Sequence, residues 1–297
     1  MYDSFSPDEL ELRSVISETL IDVDEVKSVQ TIQTGWTNIT MDVQCKKNDY
    51  IFRFPRNLFF AKMMIKDCIF CQFLRDKVSV NIPDMQLKQN KNRPFSMHKK
   101  IVGDPLIAMM GTLTSAQQNN IVKDLSVFLA QLHALPIETM PQQIKETLGC
   151  FLDGLASVHK GNYDFTHHEV LHNMEKETKN LSIVHGDFHP GNILIKDGRV
   201  SGIIDFSFAA VSDRHSDLGR FVGRSERDLA DALIKAYQNE INNFCDMEKI
   251  NHVANVFKYV EYKYVQYMQS SHPEINIPHS VLQMAAQEAK RFNNVRT

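Results

Sequence analysis

The amino-acid sequence predicts an α+β protein of two unequal parts, a small β-rich one over residues 1–102 and a larger, mainly helical one over 103–297. Three observations carry this. The first hundred residues contain runs in which apolar and polar side chains alternate, the period of a half-buried strand. From Leu113 onward the apolar residues recur at helical spacing. One stretch, Leu181 to Ala209, interrupts that helical region with two short apolar runs around a turn. A chain of 297 residues that is 43% hydrophobic can bury one large core or two moderate ones.

Each element has a local reason. Ile39, Met41, Val43 and Cys45 alternate with Thr40, Asp42 and Gln44. A polar turn, Lys46-Lys47-Asn48-Asp49, then leads into Tyr50-Ile51-Phe52-Arg53-Phe54, which Pro55 stops; together these make a hairpin. Met63, Met64, Ile65, Phe70, Phe73 and Leu74 fall near helical spacing and predict a helix between Phe59 and Arg75. Strand resumes over Val78 to Ile82, Lys88 to Lys91 reads as a polar loop, and Pro94 to Val102 as a last strand. Gly103-Asp104-Pro105 ends it and marks the boundary. Thr114 or Ser115, each with Gln three residues later, can cap a helix whose stripe is Ile121, Val122, Leu125, Phe128, Leu129 and Leu132. Helical patterns recur around Gln142 to Leu152, Glu169 to Thr178, Arg227 to Asn239, Met247 to Gln269 and Val281 to Phe292.

Composition excludes several classes. With 33 Lys plus Arg against 36 Asp plus Glu, the formal charge of -3 is too balanced for a nucleic-acid-coating surface. Met1 to Ile16 carries acids rather than a basic stretch before an apolar run, and no window approaches the roughly 18 apolar residues of a membrane span. Five cysteines, an odd number at irregular spacing, read as reduced thiols, so the expectation is a cytoplasmic protein. Cys68 and Cys71 have redox or zinc spacing but lie inside an apolar helical run without a second pair, which favours buried thiols.

The chemistry concentrates in residues 182–206. Asp197-Gly198 is a strong two-residue hairpin turn between Ile193–Ile195 and Val200–Ile204. Centring the turn there pairs Asn192 with Ile203 and leaves Asn192 and Asp205 at the open end of the hairpin, roughly 7 Å apart along the strand. An amide oxygen and a carboxylate at that spacing can share Mg²⁺, which takes one or two protein oxygens alongside substrate phosphates. Asp187 lies five residues before Asn192, in a loop with Pro190 and Gly191, placed to receive a hydroxyl proton beside the metal. Taken singly, Asp187 and Asn192 are also ordinary turn residues and Asp205 an ordinary strand-ending carboxylate.

The order and spacing together make a specific resemblance. Asp187 and Asn192 have the Asp-x-x-x-x-Asn spacing of a kinase catalytic loop, and Asp205-Phe206 stands where the metal-binding Asp-Phe-Gly would. More closely, His185-Gly186-Asp187-x-His189-Pro190-Gly191-Asn192 followed by Ile203-Ile204-Asp205-Phe206 resembles the aminoglycoside phosphotransferase family of small-molecule kinases, over roughly Gln33 to Gln269. The resemblance implies a bilobal protein-kinase-like fold with a β-rich nucleotide lobe and a mainly helical catalytic lobe. It implies transfer of the γ-phosphoryl of ATP or GTP to a hydroxyl of a small molecule, with Mg²⁺, in a monomer without nucleic-acid or membrane partners. The matching residues are Asp187 as catalytic base, Asn192 and Asp205 as metal ligands, and Asp217 as a support of the catalytic loop, with His185 orienting that loop.

Other parts match less closely. Thr34-Gly35-Trp36-Thr37-Asn38 sits where a phosphate-covering turn should be, and Gly35 is its only glycine. Arg53 occupies the place where the kinase pattern presents a Lys to the phosphates, a departure that exchanges a point donor for a planar fork. Asp67 on the following helix is its expected acidic partner, and Met97 to Ile101 would bind the nucleobase by backbone. The family implies aminoglycosides first, then other antibiotics or metabolic alcohols. The segment Ile137 to Asn180 holds seven acids against four Lys, which suits a polycation, but Gly223-Arg224-Ser225-Glu226-Arg227 is mixed in charge. Glu226 and Glu261 are the candidate substrate contacts.

Two rival classes remain. His168-Glu169-Val170-Leu171-His172 matches the His-Glu-x-x-His of zinc metalloproteases, although Tyr163-Asp164 replaces the usual apolar turn and no Gly-x-x-His follows. A catalytically inactive kinase-fold binding protein is the other, supported only by Arg53.

Overall fold

The structure, a computed structural model, describes residues 8–32, 37–91, 93–152, 175–176, 178 and 181–258. Strands β1 (Val26–Ile32), β2 (Asn38–Cys45), β3 (Tyr50–Pro55), β4 (Gln86–Asn90) and β5 (Arg93–Lys99) form one antiparallel sheet in the order β1-β2-β3-β5-β4. The alternation dictates its two faces. Met41, Val43, Phe52, Phe54, Phe95 and Met97 are buried on one face against Leu12, Val15, Ile16 and Leu20 of helix α1 (Glu9–Leu20), with Phe54 and Phe95 stacked at 5.3 Å. The period of two puts Arg53, between Phe52 and Phe54, on the other face. Sequence patterning did not anticipate α1, which Asp8 caps through the N–H of Leu10.

Helix α2 (Leu58–Leu74), capped by Asn57 on the N–H of Phe60, joins β3 to the rest of the chain and is apolar around most of its circumference. Cys68, Phe70, Cys71 and Leu74 of α2 enter the main core, where Cys68 and Cys71 are buried free thiols. Burial raises both thiols, that of Cys68 to about 12, which makes them poor nucleophiles and metal ligands.

The strand expected over Val78 to Ile82 does not form. Val78, Val80 and Ile82 do lie against the core, but the N–H of Ser79 donates to the Gln131 side chain and the carbonyl of Asn81 accepts from Ile203, so no ladder closes. The expected polar loop over Lys88 to Lys91 belongs instead to edge strand β4 and its turn, whose exposure explains its polarity.

The two-residue β6 (Asp104–Pro105) and short helix α3 (Leu106–Met109) lead to α4 (Ser115–His133), which begins with a capping box between Thr114 and Gln117. Its apolar stripe is buried as patterned and packs against α6 (Arg227–Ile241). Strand β7 (Leu181–Val184) pairs with β10 (Ala210–Asp213), while β8 (Ile193–Lys196) pairs with β9 (Arg199–Ile203) and β6. Helix α5 (His215–Val222) follows β10, and the chain is helical again over 247–258.

Candidate active site

A cleft of about 820 Å³ separates the inner face of the five-stranded sheet from the loops around β8 and β9, and it brings together Arg53, Asp187, Asn192 and Asp205. The β8–β9 hairpin explains part of this. Asp197 and Gly198 have φ of 53° and 73°, the left-handed pair that a tight hairpin turn requires. The register then departs from the simple expectation: Ile195 faces Val200 but Leu194 faces Gly202, so Ser201 is an extra residue. Asn192 therefore lies opposite Ile204 instead of Ile203, its carbonyl accepting the Ile204 N–H at 3.0 Å, and Asp205 follows immediately.

The loop carrying Asp187 is held from below. Asp217 on α5, fully buried, accepts the backbone N–H groups of His185 at 2.8 Å and Gly186 at 2.9 Å. His133 of α4 contacts the same carboxylate at 3.1 Å and Tyr237 of α6 at 2.7 Å. The His185 ring accepts the Asp187 N–H through Nδ1 at 3.2 Å, which leaves Nε2 to donate to the Ile204 carbonyl at 3.2 Å. His185 and Asp217 thus both contact the backbone of this loop. Gly186 has φ of 77°, and a Cβ there would stand 2.1 Å from the Phe208 carbonyl oxygen, so glycine is required.

The Asp187 carboxylate has only 17% of its surface exposed. Arg220 Nε donates to Oδ1 at 2.7 Å, Asn192 Nδ2 donates to Oδ2 at 3.2 Å, and His189 Nε2 lies 3.6 Å from Oδ2. Burial alone would raise this carboxyl, but Arg220 and His189 outweigh it and hold it well below the usual carboxylate range. Because the Asn192 amide nitrogen is committed to Asp187, its Oδ1 is the atom left for a cation. Asp205, with φ of 66°, takes a hydrogen bond from Ser207 Oγ at 2.7 Å and keeps its side chain 38% exposed to the cleft. Two hard oxygens from Asn192 and Asp205 suit Mg²⁺ completed by phosphates, and this donor set fits the metal that the sequence motif implies.

Arg53 pairs with the buried Asp67 and lies 3.6 Å from Asp205 Oδ1. Burial opposes the charge on Arg53, but Asp67 and Asp205 outweigh it and raise its pKa. Burial likewise pushes the Asp67 carboxyl upward against the pull of Arg53. Glu226 is exposed and lies outside the cleft lining. Gly35, Glu261, His168, Glu169 and His172 lie outside the described residues. Among the described residues no group of three or more His, Cys, Asp or Glu side chains is placed to hold a metal.

Sequence reasoning missed Arg220 and read Arg224 only as part of a stretch of mixed charge; both line the cleft. A signal existed. Arg220 follows Asp217 by three residues on a helix and so shares its face. Burial and the neighbouring Arg220 lower the Arg224 pKa to about 10. His133 gave no local signal, since it meets Asp217 from 84 residues away.

This fold is that of the kinase-like phosphotransferases. Residues 28–244 match the model of the Phosphotransferase enzyme family, and the chain belongs to that family. It is 28% identical over 116 residues to an aminoglycoside 3'-phosphotransferase of Streptomyces fradiae, covering 34% of this chain and 43% of that one. An Escherichia coli aminoglycoside 3'-phosphotransferase is 29% identical over 111 residues, 33% of this chain and 41% of the relative. The matched regions span less than half the length of those relatives. The fold is similar to that of the GDP and kanamycin complex of APH(2")-IIia, with a TM-score of 0.73 at 18% identity over 95% of this chain and 99% of the other. It is also similar to a macrolide 2'-phosphotransferase from Brachybacterium faecium, with a TM-score of 0.63 at 15% identity over 92% and 97%. Family membership does not favour the metalloprotease reading.

Proposed function

We propose that the protein transfers the γ-phosphoryl group of ATP or GTP to a hydroxyl of a small molecule, with Asp187 as the proton acceptor. The observation that carries this reading is the meeting of Asp187, Asn192, Asp205 and Arg53 in one cleft, from three separate segments of the chain. In the step, the acceptor oxygen bonds to the γ-phosphorus and the bridging bond to the β-phosphate breaks. The hydroxyl proton passes to Asp187 and the nucleoside diphosphate leaves. Asp187, ionised and pinned on both oxygens, orients the hydroxyl and takes its proton late, which suits a loose transition state that needs positioning more than a strong base. Asn192 and Asp205 would hold Mg²⁺, which when bound neutralises charge on the phosphate oxygens. Arg53 faces the same phosphates from the sheet, steadied by Asp67.

The lobe boundary falls near residue 103, with residues 1–102 as the nucleotide lobe and 103–297 as the catalytic and acceptor lobe. Aminoglycosides are the first acceptor class to test, because the sequence relatives act on them by name and acidic residues are in excess over Ile137 to Asn180. The protein works as a cytoplasmic monomer. Asp187→Asn should lower turnover by about 10²-fold or more while nucleotide affinity stays within a few-fold. Unchanged turnover in that variant, measured across a panel of hydroxyl acceptors with both nucleotides, overturns the assignment.

A further inference from the structure

We infer that Arg220 is a positioning residue for phosphoryl transfer, fixing the orientation of the Asp187 carboxylate from helix α5; the inference rests on the phosphotransferase reading above. Helix α5 grips the catalytic loop twice. Asp217 takes the N–H groups of His185 and Gly186, and one turn further along Arg220 Nε reaches Asp187 Oδ1 at 2.7 Å. The other oxygen, Oδ2, is met by Asn192 Nδ2 at 3.2 Å from the opposite end of the loop. Two donors on two different oxygens, one from a helix and one from the 3₁₀ turn Pro190–Asn192, define the plane of the carboxylate.

The guanidinium is itself constrained. Arg220 is only 8% exposed, and its central carbon lies 5.2 Å from the centre of the Phe257 ring, which also lines the cleft. A planar fork seated on an aromatic face is pre-organised in a way that a lysine would not be. Each carboxylate oxygen can accept two hydrogen bonds, so with Asn192 and the more distant His189 on Oδ2 and Arg220 alone on Oδ1, Oδ1 still has room for the substrate hydroxyl. A buried ion pair with a purely structural purpose would have no reason to place both partners on the cleft wall. Here the carboxylate that receives the proton is also the one that α5 orients.

The test uses acceptor-independent nucleotide hydrolysis by the whole protein, so it needs no knowledge of the acceptor. Arg220→Ala should lower kcat by about 10²-fold with KM for the nucleotide held within about threefold, the signature of a misplaced reacting group. Millimolar guanidinium ion should restore part of that loss and urea, uncharged and of similar shape, should not. Arg220→Lys should retain intermediate activity. Placed on an Asp187→Asn background, Arg220→Ala should cost nothing further, because the two act as a unit. Wild-type kcat in Arg220→Ala overturns the inference, as does equal rescue by urea or full additivity with Asp187→Asn. If Arg220→Ala fails to fold, the Arg220→Lys variant and its additivity decide the question. A wild-type protein that neither hydrolyses nucleotide nor consumes it with any acceptor of the hydroxyl panel overturns the phosphotransferase reading, and this inference with it.

Discussion

Asp67 of α2 accepts the backbone N–H of Phe206, 139 residues further along the chain, at 3.0 Å. Its other oxygen pairs with Arg53, so one carboxylate ties the phosphate-facing cation of the sheet to the loop that carries Asp205. Asp67 is fully buried and the Arg53 side chain is only 13% exposed, so removing Asp67 leaves Arg53 with nothing but its longer contact to Asp205 and leaves the Phe206 N–H without its acceptor. Asp67→Ala should therefore destabilise the protein by about 3–5 kcal/mol, whereas replacing both with apolar residues, as in Arg53→Met with Asp67→Leu, should recover much of the stability but not nucleotide binding. Urea unfolding and nucleotide titration of the two variants check this. Asp67→Ala unfolding at the wild-type midpoint would show that the pair is not needed for the fold.

Gly186 offers a backbone test of the catalytic loop. Its φ of 77° and the carbonyl of Phe208 leave no space for a Cβ. Gly186→Ala should cost more than about 1 kcal/mol of stability and displace the Asp187 N–H from His185. A variant with unaltered melting and turnover would mean that the loop relaxes freely around this position.

Acid stability should depend on Asp213. This carboxylate is fully buried, and burial alone would raise its pKa. Hydrogen bonds from His215 and Thr178 instead hold it below the usual carboxylate range. A folded-state pKa below the unfolded value of about 3.9 means that the ionised form favours folding. The contribution is complete above about pH 5 and fades as the pH falls through 3.9 toward the folded value. Asp213→Asn should thus be less stable at neutral pH and lose stability less steeply between about pH 5 and 3. Parallel acid limbs for variant and wild type in urea unfolding would remove Asp213 from the account.

Metal dependence separates the two metal readings of the sequence. Chelation of divalent ions should abolish turnover and Mg²⁺ should restore it. Asp205→Asn should raise the Mg²⁺ concentration required by about tenfold or more. Elemental analysis finding stoichiometric zinc that a His172→Ala variant loses would instead support a zinc centre at His168 and His172.

The sequence by itself determined the elements whose signals are local. The alternation around Met41 and Phe52, the Thr114 cap and the Asp197-Gly198 turn rest on periods and φ requirements that neighbours along the chain impose, and each formed where patterning put it. The motif from His185 to Asp205 was legible for the same reason, since its parts lie within one loop and one hairpin. Only the tertiary structure decided what depends on partners distant in sequence. The bulge at Ser201 moved Asn192 by one position, and Val78 to Ile82 lost its strand to hydrogen bonds with Gln131 and β9. Arg220 came to Asp187 only because α5 packs beneath the loop, and His133 met Asp217 across 84 residues. Side-chain polarity says that an arginine or a carboxylate needs a partner when buried. Which partner it finds is settled by the packing of elements that have no sequence proximity.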